Sequence, residues 1–235
     1  MFRRIRRRVR ALVETWALPQ RCVFCDAARP HEGICAGCRN DLPGRGAPRC
    51  PVCANLTTAA QVCGQCLSRP PTFSRTSVAA SYRFPMDSAI LRLKYAGDLA
   101  IAEPLAALLA EQMAHEPPPD LLVPMPMAPS RLRERGFNQA LEIARGLSSR
   151  LNLRLATDVC HRTRHSPPQT SLPWDERRRN IRGAFACGKD LTGKRVAVVD
   201  DVLTTGATLD ELAGILLRAG AAEVVGWVVA RAERP

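Results

Sequence analysis

Beyond residue 76 the apolar positions recur with two periods. Val78 to Phe84 alternates like a half-buried strand, and Ile90, Leu91 and Leu93 then fall at helical spacing. Leu105 to Met113 predicts another helix, with Pro104 tolerated in its first turn and Pro117-Pro118-Pro119 ending it. Leu121-Leu122-Val123 starts a buried strand, and Asn138 to Leu151 is helical. Arg195 to Val199 is a continuous apolar strand, Thr208 to Ala219 a helix, and Val224 to Ala230 a strand. Continuous strands alternating with helices imply an α/β domain, a mainly parallel sheet flanked by helices. Ligands of such sheets sit beyond the carboxyl ends of the strands.

The first residues are different. Phe2, Ile5, Val9, Leu12, Val13 and Trp16 are spaced by threes and fours among six arginines, which predicts a basic amphipathic helix over 1–20. It either packs on its own protein or adheres peripherally to a membrane surface or to nucleic acid. Glu14 interrupts the apolar stretch and no small-residue cleavage pattern precedes Cys22, so export is rejected; the arginine-rich, acid-poor start also resembles a mitochondrial presequence but lacks its usual serines. No apolar run is long enough for a spanning helix.

Residues 21–70 are organised by cysteine. Eight of ten cysteines form CxxC pairs, Cys22/Cys25, Cys35/Cys38, Cys50/Cys53 and Cys63/Cys66. The couples repeat after 28 residues with the same nine-residue gap, an internal duplication. Two thiolate knuckles complete a tetrahedral site, so the pattern predicts two structural zinc ions in a double zinc ribbon. Four thiolates also suit iron. Short hairpins favour pairing in sequential order, and a cross-braced order stays open. The segment has few large apolar residues, and the metal would supply folding free energy on the order of 10 kcal/mol per site. Cys160 and Cys187 read as ordinary small hydrophobes.

The 235 residues suit one domain with a small appendage, and 46% apolar content excludes wholesale disorder. The net charge of +12 predicts an anionic partner. Residues 1–21 carry +6 and residues 131–182 carry +7, whereas the cysteine segment is nearly neutral. In the second block Arg131, Arg133 and Arg135, read as a loop ending at Gly136, form a candidate diphosphate clamp. Arg164, Gln169, Trp174 and Arg177 to Arg182 read as a lid or a single-strand track.

One strand end carries the sharpest chemistry. Asp200 and Asp201 stand at the tip of a strand, followed by Val202-Leu203 and Thr204-Thr205-Gly206-Ala207-Thr208 entering a helix. The turn and helix N-terminus form an anion cradle. The two carboxylates suit sugar hydroxyls or a bound cation. The string resembles the phosphoribosyl-pyrophosphate (PRPP) motif of type I phosphoribosyltransferases. That resemblance implies that Asp200 and Asp201 hold ribose hydroxyls at the catalytic centre. It also implies that Thr204, Thr205, Gly206, Ala207 and Thr208 wrap the 5′-phosphate, and that magnesium arrives with the pyrophosphate.

Further stretches complete a second resemblance. They are Leu91 to Asp98 with Lys94 and Tyr95, Arg133 to Gln139, Gln169 to Leu172, and Arg177 through Asn180 to Phe185. With the cysteine duplication they resemble the ComF family, double-zinc-ribbon phosphoribosyltransferase-like proteins linked to natural competence. The match spans 18–230, leaving the arginines of 2–10 without a family role. The organisation expected is a helix over 1–20, a zinc ribbon over 21–70 and a phosphoribosyltransferase-like domain over 76–235. The resemblance implies a cytoplasmic bacterial protein that binds PRPP and helps handle single-stranded DNA during transformation, with competence or recombination proteins as further partners. Two alternatives stand beside it. One is an active salvage-type pentosyltransferase acting on a nucleobase or amine, and the other is a ribbon scaffold that recruits recombination proteins.

Overall fold

The computed structural model describes residues 21–28, 30–114, 116–163, 181 and 183–233. The expected N-terminal helix over 1–20 and the expected lid, Arg164, Gln169, Trp174, Arg177, Arg178, Arg179 and Arg182, lie outside these residues.

Two short helices, α1 (Ala36–Asn40) and α2 (Gly64–Ser68), belong to the cysteine-rich segment. There follow β1 (Arg75–Ser81), α3 (Met86–Leu91) running into a π-helical turn at Arg92–Ala96, α4 (Ala102–Met113), β2 (Leu121–Pro124), α5 (Pro129–Arg135) and α6 (Gln139–Leu151). The chain ends with β3 (Cys160–Arg162), β4 (Phe185–Cys187), β5 (Arg195–Leu203), α7 (Ala207–Arg218) and β6 (Glu223–Arg231). The main sheet has the order β1-β6-β5-β2, all parallel. β3 and β4 form a separate antiparallel pair in which Cys160 faces Cys187.

Strand period and helix placement agree residue by residue. Ala197 and Val199 of β5, with Val225, Trp227 and Val229 of β6, join the apolar cluster formed by α4 and α6 through Leu105, Leu109, Ile143 and Leu147. Their neighbours Val196, Val198, Val224 and Val228 join the other cluster, under Leu209, Leu212 and Leu216 of α7. Both faces are therefore covered, which is why β5 and β6 read as unbroken apolar runs. A Cβ on Gly226 would stand 2.6 Å from Leu209 Cδ2, so α7 depends on that glycine to lie close to the sheet.

The duplication is visible in the backbone. Asp26 and Ala54 both take positive φ (61° and 57°), as do Glu32 and Ala60 (51° and 53°), each couple 28 residues apart. Helices α1 and α2 are offset by the same interval. The ribbons do not fold on apolar burial of their own. Ile34 and Leu42 insert into the cluster of α4 and α6, while Ala54 enters the cluster beneath α7. Polar ties surround these insertions: Arg39 and Arg45 pair with Glu111, and Arg49 donates to Ser81 Oγ at 2.9 Å.

Three expectations change. The first strand is Arg75–Ser81 rather than Val78–Phe84, because β6 extends back to Val225 opposite Arg75 and draws the polar Thr76 and Ser77 into the ladder. Its end at Ser81 leaves Phe84 in solvent. The strand expected over 195–199 continues through both aspartates to Leu203, since β6 supplies partners as far as Arg231. Residues 129–135, expected as a loop, are helical. Pro129 opens α5, and Gly136, at φ 84°, closes it by donating its amide to Leu132 O.

Candidate functional site

The sheet reverses its winding between β2 and β5. From β2 the chain passes through α6 to Leu155, which bridges Leu122 on the outer side. From β5 it passes through α7 to β6, on the opposite side. The crevice beyond the carboxyl ends of β2 and β5 is thus the switch point where α/β sheets hold ligands. Pairing with β2 stops at Val199, and the next two residues are Asp200 and Asp201.

A polar chain organises this crevice. Asn138 caps α6, accepting from Ala140 N at 3.0 Å, and its Nδ2 donates to Met125 O at the end of β2. That cap sets Gln139, the first residue of α6, so that Nε2 donates to Asp201 Oδ1 at 3.1 Å and Oε1 accepts from Arg135 Nη1 at 2.6 Å. Lys94, from the π-helical turn after α3, forms an ion pair with Asp201 Oδ2. Arg135 also lies over the Tyr95 ring, 5.4 Å from its centroid.

The adjacent carboxyls titrate in opposite directions. Burial, reinforced by the neighbouring carboxylate, holds Asp200 well above the usual carboxylate range. Burial also opposes ionisation of Asp201, but the Lys94 charge and the hydrogen bonds from Lys94 and Gln139 outweigh it and hold Asp201 low. Lys94 is desolvated too, and Asp201 more than compensates, so its pKa is raised. Asp201 is therefore the carboxyl engaged by neighbouring groups, and Asp200 the one whose ionisation its surroundings oppose. Both oxygens of Asp201 are engaged within the protein, Oδ1 by Gln139 and Oδ2 by Lys94.

Beyond Leu203 the chain turns through Thr204 and Thr205 to Gly206. At φ 82° Gly206 occupies the left-handed region, and α7 begins at the next residue. Thr205 Oγ1 accepts from Ala207 N at 3.3 Å. The first amides of a helix lack intrahelical acceptors, so the start of α7 carries donors and a positive dipole end just beyond the carboxyl end of β5.

The cysteines gather in sequential tetrads, Cys22, Cys25, Cys35 and Cys38, then Cys50, Cys53, Cys63 and Cys66, with the sulfurs of each within 4.8 Å of one another. Cys25 Sγ stands 3.6 Å from Cys35 Sγ, and Cys53 Sγ stands 3.6 Å from Cys63 Sγ. Tetrahedral zinc with bonds of about 2.3 Å needs sulfur separations of about 3.8 Å. A disulfide needs about 2 Å. Backbone amides support the thiolates: Cys35 N donates to Cys22 Sγ and Cys63 N to Cys50 Sγ, both at 3.4 Å. The tetrads fit zinc. All four ligands of each are cysteine, so the ions would be structural.

Comparison with known proteins agrees with both halves. A double zinc ribbon domain matches residues 13–67, and a phosphoribosyl transferase domain matches residues 137–234. Competence protein F of Haemophilus influenzae is 31% identical over 224 residues, 90% of this chain and 97% of that protein. The chain belongs to the ComF family. DNA utilization protein YhgH of Escherichia coli O6:H1 is 34% identical over 223 residues, 91% of this chain and 98% of that protein. Competence protein ComFC of Bacillus subtilis is 25% identical over 232 residues, 87% of this chain and 91% of that protein. The ComF chain accordingly joins a double zinc ribbon to a phosphoribosyltransferase-like domain.

Within this ComF chain, Asp200, Asp201 and the turn 204–208 share one strand-to-helix connection. Arg131 and Arg135 are one helical turn apart on α5, whereas Arg133 faces about 200° away and is exposed. The alternating three-arginine clamp expected of a loop is therefore replaced by two arginines on one face. Arg162 of β3 was not anticipated. Burial and the Arg131 charge lower its pKa against the pull of Asp200, which puts it in electrostatic reach of both. Its tripeptide strand has no periodic signal. Arg231 was also missed because it ends an apolar run. It is 1% exposed, donating from Nε to Cys53 O at 2.9 Å and from Nη1 to Leu203 O at 2.8 Å, and it also bonds Thr204 O. It joins the second cysteine knuckle to the start of the Thr-rich turn. No helix among the described residues is long and apolar enough to cross a membrane.

Proposed function

We propose that the switch-point crevice binds PRPP with its magnesium and that the protein handles single-stranded DNA in the cytoplasm. The observation that carries the first half is the joining of a half-buried Asp200 and a buried Asp201 to a Gly206-led helix N-terminus at the end of a parallel strand. In this reading the 5′-phosphate lies against the turn 204–208, and ribose hydroxyls donate to Asp200, whose partner Asp201 is fixed by Lys94 and Gln139. Arg131, Arg135 and Arg162 supply positive charge where the diphosphate and its magnesium would lie. Magnesium would neutralise pyrophosphate as it departs. Aligned donors and fixed charge would do the remaining work of any transfer to an acceptor, a reaction that needs little acid–base machinery. The DNA half rests on the names of the relatives and on the arginine excess of 131–182.

Calorimetry with PRPP and magnesium tests the first half. Binding is expected for the wild type and lost in Asp200→Asn/Asp201→Asn at unchanged zinc content. No heat from zinc-loaded wild type at millimolar ligand overturns the reading. Pyrophosphate release in a screen of nucleobases and amines would identify a working transferase, whereas donor binding without release identifies a sensor.

A further inference from the structure

Phe84 and Tyr95 are 77% and 74% exposed, which makes them unusual among the described aromatic residues. Both line one shallow, open groove with Leu91 and Arg92. Phe84 sits there because β1 ends three residues earlier. Tyr95 sits there because the π-helical turn directs Leu93 into the core and Lys94 into the Asp201 site, leaving Tyr95 outward. Such turns recur at functional positions. Two arginines flank the rings, Arg135 stacked over Tyr95 and Arg92 in the groove wall, and an exposed Arg83 precedes Phe84 in sequence. The acids nearby are Asp87 in the groove wall, Asp98 paired with Arg92, and Glu233 paired with Arg83.

The geometry points to this groove as the seat of a single nucleic-acid strand, whose bases stack on Phe84 and Tyr95 while Arg83, Arg92 and Arg135 take its phosphates. Open aromatic faces interleaved with guanidinium groups are the chemistry of sequence-tolerant strand binding. An aliphatic partner would need neither ring faces nor arginines, and a second copy of this basic chain would set arginine against arginine. The inference rests on the reading that the protein handles single-stranded DNA and gives that strand a surface. Because Tyr95 follows Lys94 directly, the strand would pass the mouth of the phosphoribosyl site.

Fluorescence anisotropy with a labelled oligothymidylate, using full-length zinc-loaded protein, tests it. Phe84→Ala and Tyr95→Ala should each weaken binding roughly 5- to 150-fold, the range for loss of one stacked base. The salt slope should not change, because no cation is removed. Tyr95→Phe should retain wild-type affinity. Leu67→Ala, an exposed apolar side chain of the second ribbon, should leave both affinity and slope unaltered. Wild-type binding with an equally tight Phe84→Ala/Tyr95→Ala variant overturns this proposal alone. A wild type without strand affinity at low salt overturns the DNA reading and this proposal with it. A double variant that changes from dimer to monomer at unaltered strand affinity would make the groove a self-contact and likewise overturn the proposal. Both side chains are exposed, so the variants should melt with the wild type.

Discussion

Arg231 joins the metal-stapled half of the chain to the proposed phosphate turn, and its loss should be felt at both ends. The side chain is buried and donates to Cys53 O, Leu203 O, Thr204 O and Ala232 O. Arg231→Met keeps most of the volume and removes every donor. Leu203 O keeps a partner in Ala232 N at 2.9 Å, but the carbonyls of Cys53, Thr204 and Ala232 each lose the guanidinium. At about 1 kcal/mol for each lost bond the total is about 3 kcal/mol. A chain of this length then melts about 6–12 °C lower. Zinc content should stay at two per chain, because every ligand is a cysteine side chain. Freeing Thr204 must also be reversed on binding, and ordering one residue costs about 1–2 kcal/mol, so PRPP affinity should fall about 5- to 30-fold. Arg231→Lys should recover only part of both losses, since one ammonium cannot reach carbonyls on two sides. Differential scanning fluorimetry, zinc analysis and calorimetry read these effects. An Arg231→Met protein melting within about 2 °C of wild type and binding PRPP equally would refute the bracing argument.

Other outcomes follow from the same geometry. Asp200 is raised above its unfolded value, so the folded state holds the extra proton and stability falls as pH climbs from about 4 towards the raised pKa. Asp200→Asn should therefore melt above wild type at about pH 8, with a gap that narrows on acidification; a lower melting point at about pH 8 would contradict the assignment. Asp201 is depressed, so its contribution is present above about pH 4 and is lost as pH falls through its folded pKa. Asp201→Asn should melt below wild type at neutral pH because it strands the Lys94 ammonium, and equal melting would count against the ion pair. Gly206→Ala must hold φ near 82° with a Cβ, at about 1–2 kcal/mol, and should lose PRPP affinity or stability by that amount, measured by calorimetry and thermal melts. Cys38→Ser and Cys66→Ser should each leave one zinc by metal analysis, whereas loss of both ions from either variant would argue against two separate sites.

The sequence displayed what local chemistry dictates. CxxC spacing announces four thiolate knuckles, and the structure adds that they pair in sequential order. Unbroken apolar strands announced a covered parallel sheet, and the Asp-Asp to Thr-Gly-Ala-Thr string announced its switch-point turn. Partners distant in sequence stayed hidden. Lys94 was visible inside a family motif, yet its role depends on Asp201, brought to it by the sheet order. Arg162 belongs to a strand too short for any period, and α5 is a charged helix with no apolar stripe to reveal it. Arg231 looked like the polar end of a strand because the ribbon carbonyl that buries it lies 178 residues earlier.

In the proposed site the turn from Thr204 to Thr208 holds a phosphate whose ribose reaches Asp200. Amide chemical-shift mapping with ribose 5-phosphate, which carries both groups without the diphosphate, tests it most directly. Large shifts are expected at Thr205, Gly206, Ala207 and Thr208, smaller ones at Asp200 and Asp201, and none in the cysteine knuckle at 22–25. Saturable shifts centred elsewhere, or a turn that does not respond to millimolar ligand, would contradict it.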